Sequence, residues 1–172
     1  MKPMVEVRLS QLEQLDVDCL IWPIADELGG GMPAGRPLAQ AAGPEVVAAL
    51  EKHGAVPVGA AIITAAGDLD VDYLIHVSVE SPQEPVTVAA VERAFLNGLR
   101  RAGALGLARI GTPALGTGVG RLEAESVARA MESALRSHGT ETPFPQTIVV
   151  AVSNAYEADV FERILTEAPV GS

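Results

Sequence analysis

Residues 108–122, ARIGTPALGTGVGRL, place three things in a row: a short strand at 108–110, a loop punctuated by Gly116, Gly118 and Gly120, and a helical pattern from Leu122. A glycine loop between a strand and a helix can turn several backbone N–H groups toward an anion, with the helix dipole behind them. The spacing GTGVG is not GxGxxG, so a dinucleotide-binding Rossmann site gets little support.

Working outward, the same alternation of strand and helix covers most of the chain. Residues 5–9, VEVRL, alternate as a half-buried strand does, and 19–22, CLIW, read as a buried strand closed by Pro23. From 37 to about 52 the pattern is helical, as two helices split at Gly43-Pro44, since Pro44 suits a first helical position. Strands are expected at 59–64 and 73–77, with the turn GDLD between them. Thr87 caps a helix through Ala102, with Val88, Val91, Ala94, Phe95, Leu99 and Ala102 as its apolar stripe. A helix from Leu122 to about Ser137 stops at Gly139. Residues 147–152 are almost wholly apolar and predict a central strand; 156–166 form the closing helix. Alternating strands and helices predict an α/β fold whose mixed, mostly parallel sheet carries helices on both faces.

Composition bounds the rest. A chain of 172 residues, 48% hydrophobic, suits one soluble domain over 1–168 with a frayed tail at 169–172. Aromatic residues make up 3%, so the core must pack from small side chains, with helices close on the sheet. No apolar run is long enough to span a membrane and no signal peptide opens the chain, so the expected address is cytoplasmic. The lone Cys19 excludes an internal disulfide and a cysteine zinc cluster, and His53, His76 and His138 are too scattered to read as a metal site. No metal and no cofactor is therefore expected. His76 reads as a hydrogen-bonded core histidine, and Trp22 as core that can also reach a pocket. The formal charge of −10 argues against a general nucleic-acid partner. It also requires that a phosphorylated ligand be held by short-range donors against the overall field.

Three loops follow strand ends, where ligands collect in such sheets. The first, 22–35, carries Gly29, Gly30 and Gly31; the second is 112–122; the third is Ser153-Asn154-Ala155-Tyr156, whose polar and aromatic groups suit a base or ribose. Arg36 and Arg121 lie in or beside the glycine loops, and a guanidinium can grip a phosphate with two donors.

Taken together, DCLIWPIAD, GGG, QAAGPEV, the run from PVGAAIIT to YLIHV, and PALGTGVG resemble the macrodomain family along nearly the whole chain. The resemblance implies a three-layer α/β/α sandwich that takes a small nucleotide ligand of the ADP-ribose class. It implies Gly29, Gly30 and Gly31 beside the distal ribose, Gly116, Thr117, Gly118, Val119 and Gly120 around the pyrophosphate, and Asn154 and Tyr156 toward the adenosine half. Where the family has an Asp for the adenine amino group, this chain has Gln11, whose oxygen can still accept. Where it reads NAAN, this chain reads Trp22-Pro23-Ile24-Ala25; the distal-ribose position falls on Ala25, or on Asp26 after a one-residue slip.

Hydrolytic relatives place a carboxylate after GGG, whereas here the segment is Met32-Pro33-Ala34-Gly35-Arg36. The glycohydrolase pattern Gln-Glu-Glu is matched by Gln40-Ala41-Ala42. General acid–base work needs a titratable group at the reacting atoms, which leaves Asp26 as the one weak catalytic candidate. The first expectation is thus a binding module with weak or absent hydrolase activity. The alternatives are a hydrolase of ADP-ribosyl or O-acetyl-ADP-ribose groups, and an interaction domain whose apolar WPI segment meets a partner or a second copy in a homodimer.

Overall fold

The computed structural model describes residues 2–25, 40–117 and 121–166. Its six strands are β1 (Met4–Leu9), β2 (Cys19–Ala25), β3 (Ala61–Ala65), β4 (Tyr73–Glu80), β5 (Arg109–Pro113) and β6 (Thr147–Val152). They form one sheet in the order β1-β6-β5-β2-β4-β3, parallel throughout except where β3 pairs antiparallel with β4. Among the described residues, the helices α1 (Pro44–His53), α2 (Val88–Ala104), α3 (Ala124–His138) and α4 (Ala155–Thr166) connect or close it, and residues 12–14 make a 3-10 turn.

Side chains alternate between the two faces of a strand, and here that alternation divides each inner strand between two cores. Ile21, Ile75, Val77, Ile148 and Val150 face the core under α2, α3 and α4. Leu20, Trp22, Leu74, Val149 and Ala151 face a second core under α1 and the 3-10 turn. Two cores on opposite faces of one sheet are the three-layer sandwich. The scarcity of aromatics shows in the spacing: a Cβ on Gly98 would lie 3.1 Å from Val77 Cγ1, so α2 rests its backbone almost on the sheet.

Local signals account for the helix starts. The Thr87 side chain accepts from the Ala90 N–H at 3.1 Å, and Pro44 opens α1 after Gly43, whose φ of 89° breaks it from the helical residues 40–42. The expected residues 37–39 and the tail at 169–172 lie outside the described residues.

Several expectations are corrected. Pro23 does not close β2, which runs on to Ala25. β2 pairs with β5 only at Cys19 and Leu20, so by Pro23 its sole neighbour is β4, and a missing N–H is tolerated beside an open edge. β6 is interior, paired on both sides, but the middle of the sheet is β5 and β2. An apolar run reports burial on both faces, which any interior strand has. β4 continues to Glu80, β5 to Pro113 and α2 to Ala104, while β3 starts at Ala61 and α3 at Ala124. Val88 stays 41% exposed at the first turn of α2 instead of joining the stripe.

At the sheet's β1 edge, Glu6 receives both arms of Arg109, at 3.1 and 3.0 Å, and Arg8 at 2.9 Å. These bonds hold the Glu6 carboxyl at about 2, below its ordinary 4.5. A depressed carboxyl stabilises the fold above its unfolded value and loses that contribution as pH falls through the folded one. The window is therefore pH 4.5 down to about 2. The group is half open to water, so the contribution is about 1 kcal/mol or less. Urea unfolding of Glu6→Gln should show a smaller loss of stability across that window than the parent; an equal loss would refute the assignment.

Candidate functional site

β5 and β2 part company above Gly111 and Leu20, and the sheet opens there at its carboxyl end. The chain leaving β2 travels to β3 and β4 on one side, while the chain leaving β5 travels to β6 on the other. Such a reversal leaves a crevice that neither connection crosses, the usual ligand position in open α/β sheets. Pro23 and Pro113 stand on its two walls. The resulting cleft, about 540 Å³, is lined further by Leu9, Ser10 and Gln11, by the 3-10 turn, and by Ala151, Val152 and Ser153. That volume suits a small-molecule ligand.

Of the residues singled out from sequence, Gln11 does line the cleft, at the start of the 3-10 turn. Ala25 ends β2, beside Glu80 of β4, just after a register shift between Ile24 and Ala25. Asp26, Gly29, Gly30, Gly31, Arg36, Gly118, Val119 and Gly120 lie outside the described residues. The base of the second glycine loop is well defined. Gly116 has a φ of 82°, its carbonyl accepts from the Leu122 N–H at 3.1 Å, and Thr117 bridges to Leu122. Ala42 is fully buried, and its carbonyl receives the Asp68 N–H at 2.9 Å.

The third loop also has a local structural use. Ser153 reaches the cleft, whereas Tyr156 points 67% of its surface to solvent and is not among the lining residues. Asn154 is occupied by α4: its Oδ1 accepts from the Glu157 N–H at 2.8 Å and its Nδ2 donates to Glu157 Oε1 at 3.1 Å. This is a helix cap of the Asn-x-x-Glu kind, a spacing that the sequence displayed. The other Glu157 oxygen lies 3.5 Å from the Thr117 hydroxyl, tying this loop to the glycine loop. Asn154→Ala should therefore cost about 1 kcal/mol in thermal or urea unfolding and change ligand affinity less than threefold. A large affinity loss at unchanged stability would give Asn154 a direct ligand role.

The remaining candidates are structural. His76 is fully buried against Trp22, ring centroids 5.1 Å apart. Thr64 Oγ1 donates to the Ala65 carbonyl and so accepts from His76 Nε2–H at 2.8 Å. Burial holds the ring neutral, its pKa down at about 3, as a core histidine. Trp22 is likewise wholly core. His138 donates Nε2–H to the Phe144 carbonyl at 2.8 Å, and burial pushes the Cys19 thiol up to about 12. Among the described residues, no three His, Cys, Asp or Glu are placed to share a metal, and no helix is long and apolar enough to cross a membrane. Arg121 is not a free surface cation: its Nη1 meets Glu80 Oε1 at 2.8 Å, a pairing across 41 residues that no sequence pattern signals.

The Macro domain family model matches residues 25–131. A protein named O-acetyl-ADP-ribose deacetylase from Enterobacter sp. (strain 638) is 28% identical over 97% of this chain and 96% of its own length. A protein of the same name from Escherichia coli (strain K12) is 27% identical over 97% and 98%. Among solved structures, a variant of the Oceanobacillus iheyensis macrodomain with ADPR superposes at a TM-score of 0.83, with 18% identity, over 94% of this chain and 91% of that one. A Trypanosoma brucei macrodomain in complex with ADP gives 0.84, with 17% identity, over 94% and 69%.

Proposed function

This chain belongs to the macro domain family, and from that premise we propose that its cleft binds ADP-ribose or a related phosphorylated nucleoside, with weak or absent hydrolase activity. The observation that carries the reading is the crevice where β2 and β5 diverge, with Gln11 on one rim and Pro113, from which the chain runs into the glycine loop, on the other. Gln11 would accept from the adenine amino group, and backbone donors of 116–120 would meet the pyrophosphate. Gly29, Gly30 and Gly31 would lie beside the distal ribose. Such donors act at contact range, which suits an anion site in a chain of formal charge −10.

Weak turnover follows from the alanines at 25, 41 and 42, where the family resemblance places reactive or orienting groups. Ala42 is sealed in the core, so that position brings nothing to the cleft. The relatives named O-acetyl-ADP-ribose deacetylase, nearly full-length matches, favour a second reading as a hydrolase of that class, with Asp26 orienting water.

Isothermal titration with ADP-ribose, ADP, AMP and NAD, paired with a turnover assay on O-acetyl-ADP-ribose, tests both. The expected result is measurable ADP-ribose binding, nearly independent of salt, with turnover close to the enzyme-free rate. Robust turnover that disappears in Asp26→Ala would establish the second reading. No binding of any of the four ligands would overturn the first.

A further inference from the structure

An arginine at the carboxyl end of the sheet, beside the end of β4, is only half satisfied. The Arg121 side chain is 20% exposed, and its Nη1 is held by Glu80 at 2.8 Å. Its Nε and Nη2 are buried and meet no acceptor among the described residues. A guanidinium cannot shed its charge, so buried N–H donors without partners are costly, and native folds keep them where something else supplies the acceptor. The two open nitrogens share one edge of the guanidinium plane, the fork that matches two oxygens of a phosphate.

The position of that fork is set by the fold. Arg121 follows the glycine loop, whose base is pinned by Gly116 and Leu122, and Glu80 sits at the end of β4 beside Ala25 of β2. The guanidinium is thus held at the carboxyl end of the sheet between the two segments that bracket the open end of β2. Glu80 occupies one edge and orients the other. Resting on the ADP-ribose reading above, we propose that the Nε–Nη2 edge of Arg121 is a specificity-determining contact to a phosphate of the bound nucleotide, with Glu80 as its positioning residue. An acidic protein thereby holds a phosphate without a basic surface patch.

Titration calorimetry with ADP-ribose and ADP on the parent, on Arg121→Lys, and on the double variant Glu80→Gln/Arg121→Gln tests this, with thermal unfolding of each. Lysine keeps the charge but cannot serve Glu80 and two phosphate oxygens together, so a loss of at least fivefold for both ligands is expected. The double variant removes the whole pair and should lose at least tenfold while its Tm stays level or rises, because an unsatisfied buried cation has gone. A strut without ligand contact would show the reverse, a lower Tm with affinities within twofold of the parent, and that result overturns the proposal. A parent protein that binds neither ligand would overturn the ADP-ribose reading itself and this inference with it; affinity unaltered in the variants of a binding parent overturns this inference alone.

Discussion

Valine at Gly116 is expected to lower ADP-ribose affinity at least tenfold. Gly116 has a φ of 82°, a region that β-branched residues enter only under strain of about 1–3 kcal/mol. A Cβ there would also lie 3.0 Å from Val86 Cγ2 and 3.1 Å from Val91 Cγ2, both on the segment that leads into α2 and its first turns. The backbone must rotate or the contact must open. Either response shifts the carbonyl that accepts from Leu122 and so re-aims the loop between them. A tenfold loss corresponds to about 1.4 kcal/mol, within the strain available. Gly106→Ala is the control: Gly106 also has a positive φ, 66°, but a Cβ there meets nothing within 4 Å, so stability should fall slightly and affinity stay level. Titration calorimetry on folded Gly116→Val protein that matches the parent would exclude this loop from the site.

Trp22→Ala should cost about 3–5 kcal/mol of stability, the usual toll for emptying a large aromatic site. Trp22 is fully buried in the core beneath α1, in a chain with only 3% aromatic residues, and its ring lies against His76. Small neighbours such as Ala42 and Ala66 cannot swing in to fill the space. Trp22→Phe isolates the cause. The indole Nε1 has no hydrogen-bond partner, so phenylalanine gives up volume and no bond, at a cost of no more than about 2 kcal/mol. Urea unfolding followed by far-UV circular dichroism measures both, since this is the only tryptophan and its fluorescence is lost with it. Equal losses in the two variants would show that the indole nitrogen, not packing volume, matters there.

The strands and helices were legible because short-range rules generate them. Alternation at 5–9, the apolar run at 147–152, Thr87 as a cap and the Gly43-Pro44 break each depend on neighbours a few residues away, and all reappear. Element ends were less legible: Pro23 reads as a stop, yet β2 passes through it because the neighbour that would need its N–H has already diverged. The cleft was legible only in part. Gln11, singled out through the family resemblance, lines it, whereas the bond of Asn154 to Glu157 is a local helix cap that their spacing announces.

Periodicity, turn chemistry and composition were sufficient for the α/β class and the mixed, mostly parallel sheet, since each is set by local sterics and by which side chains avoid water. The parting of β2 from β5, the pairing of Arg121 with Glu80 and the reach of Glu157 to Thr117 join residues brought together only by strand order. Contacts across 40 or 41 residues leave no period in the chain, because their distance is fixed by how the sheet is assembled and not by the residues between them.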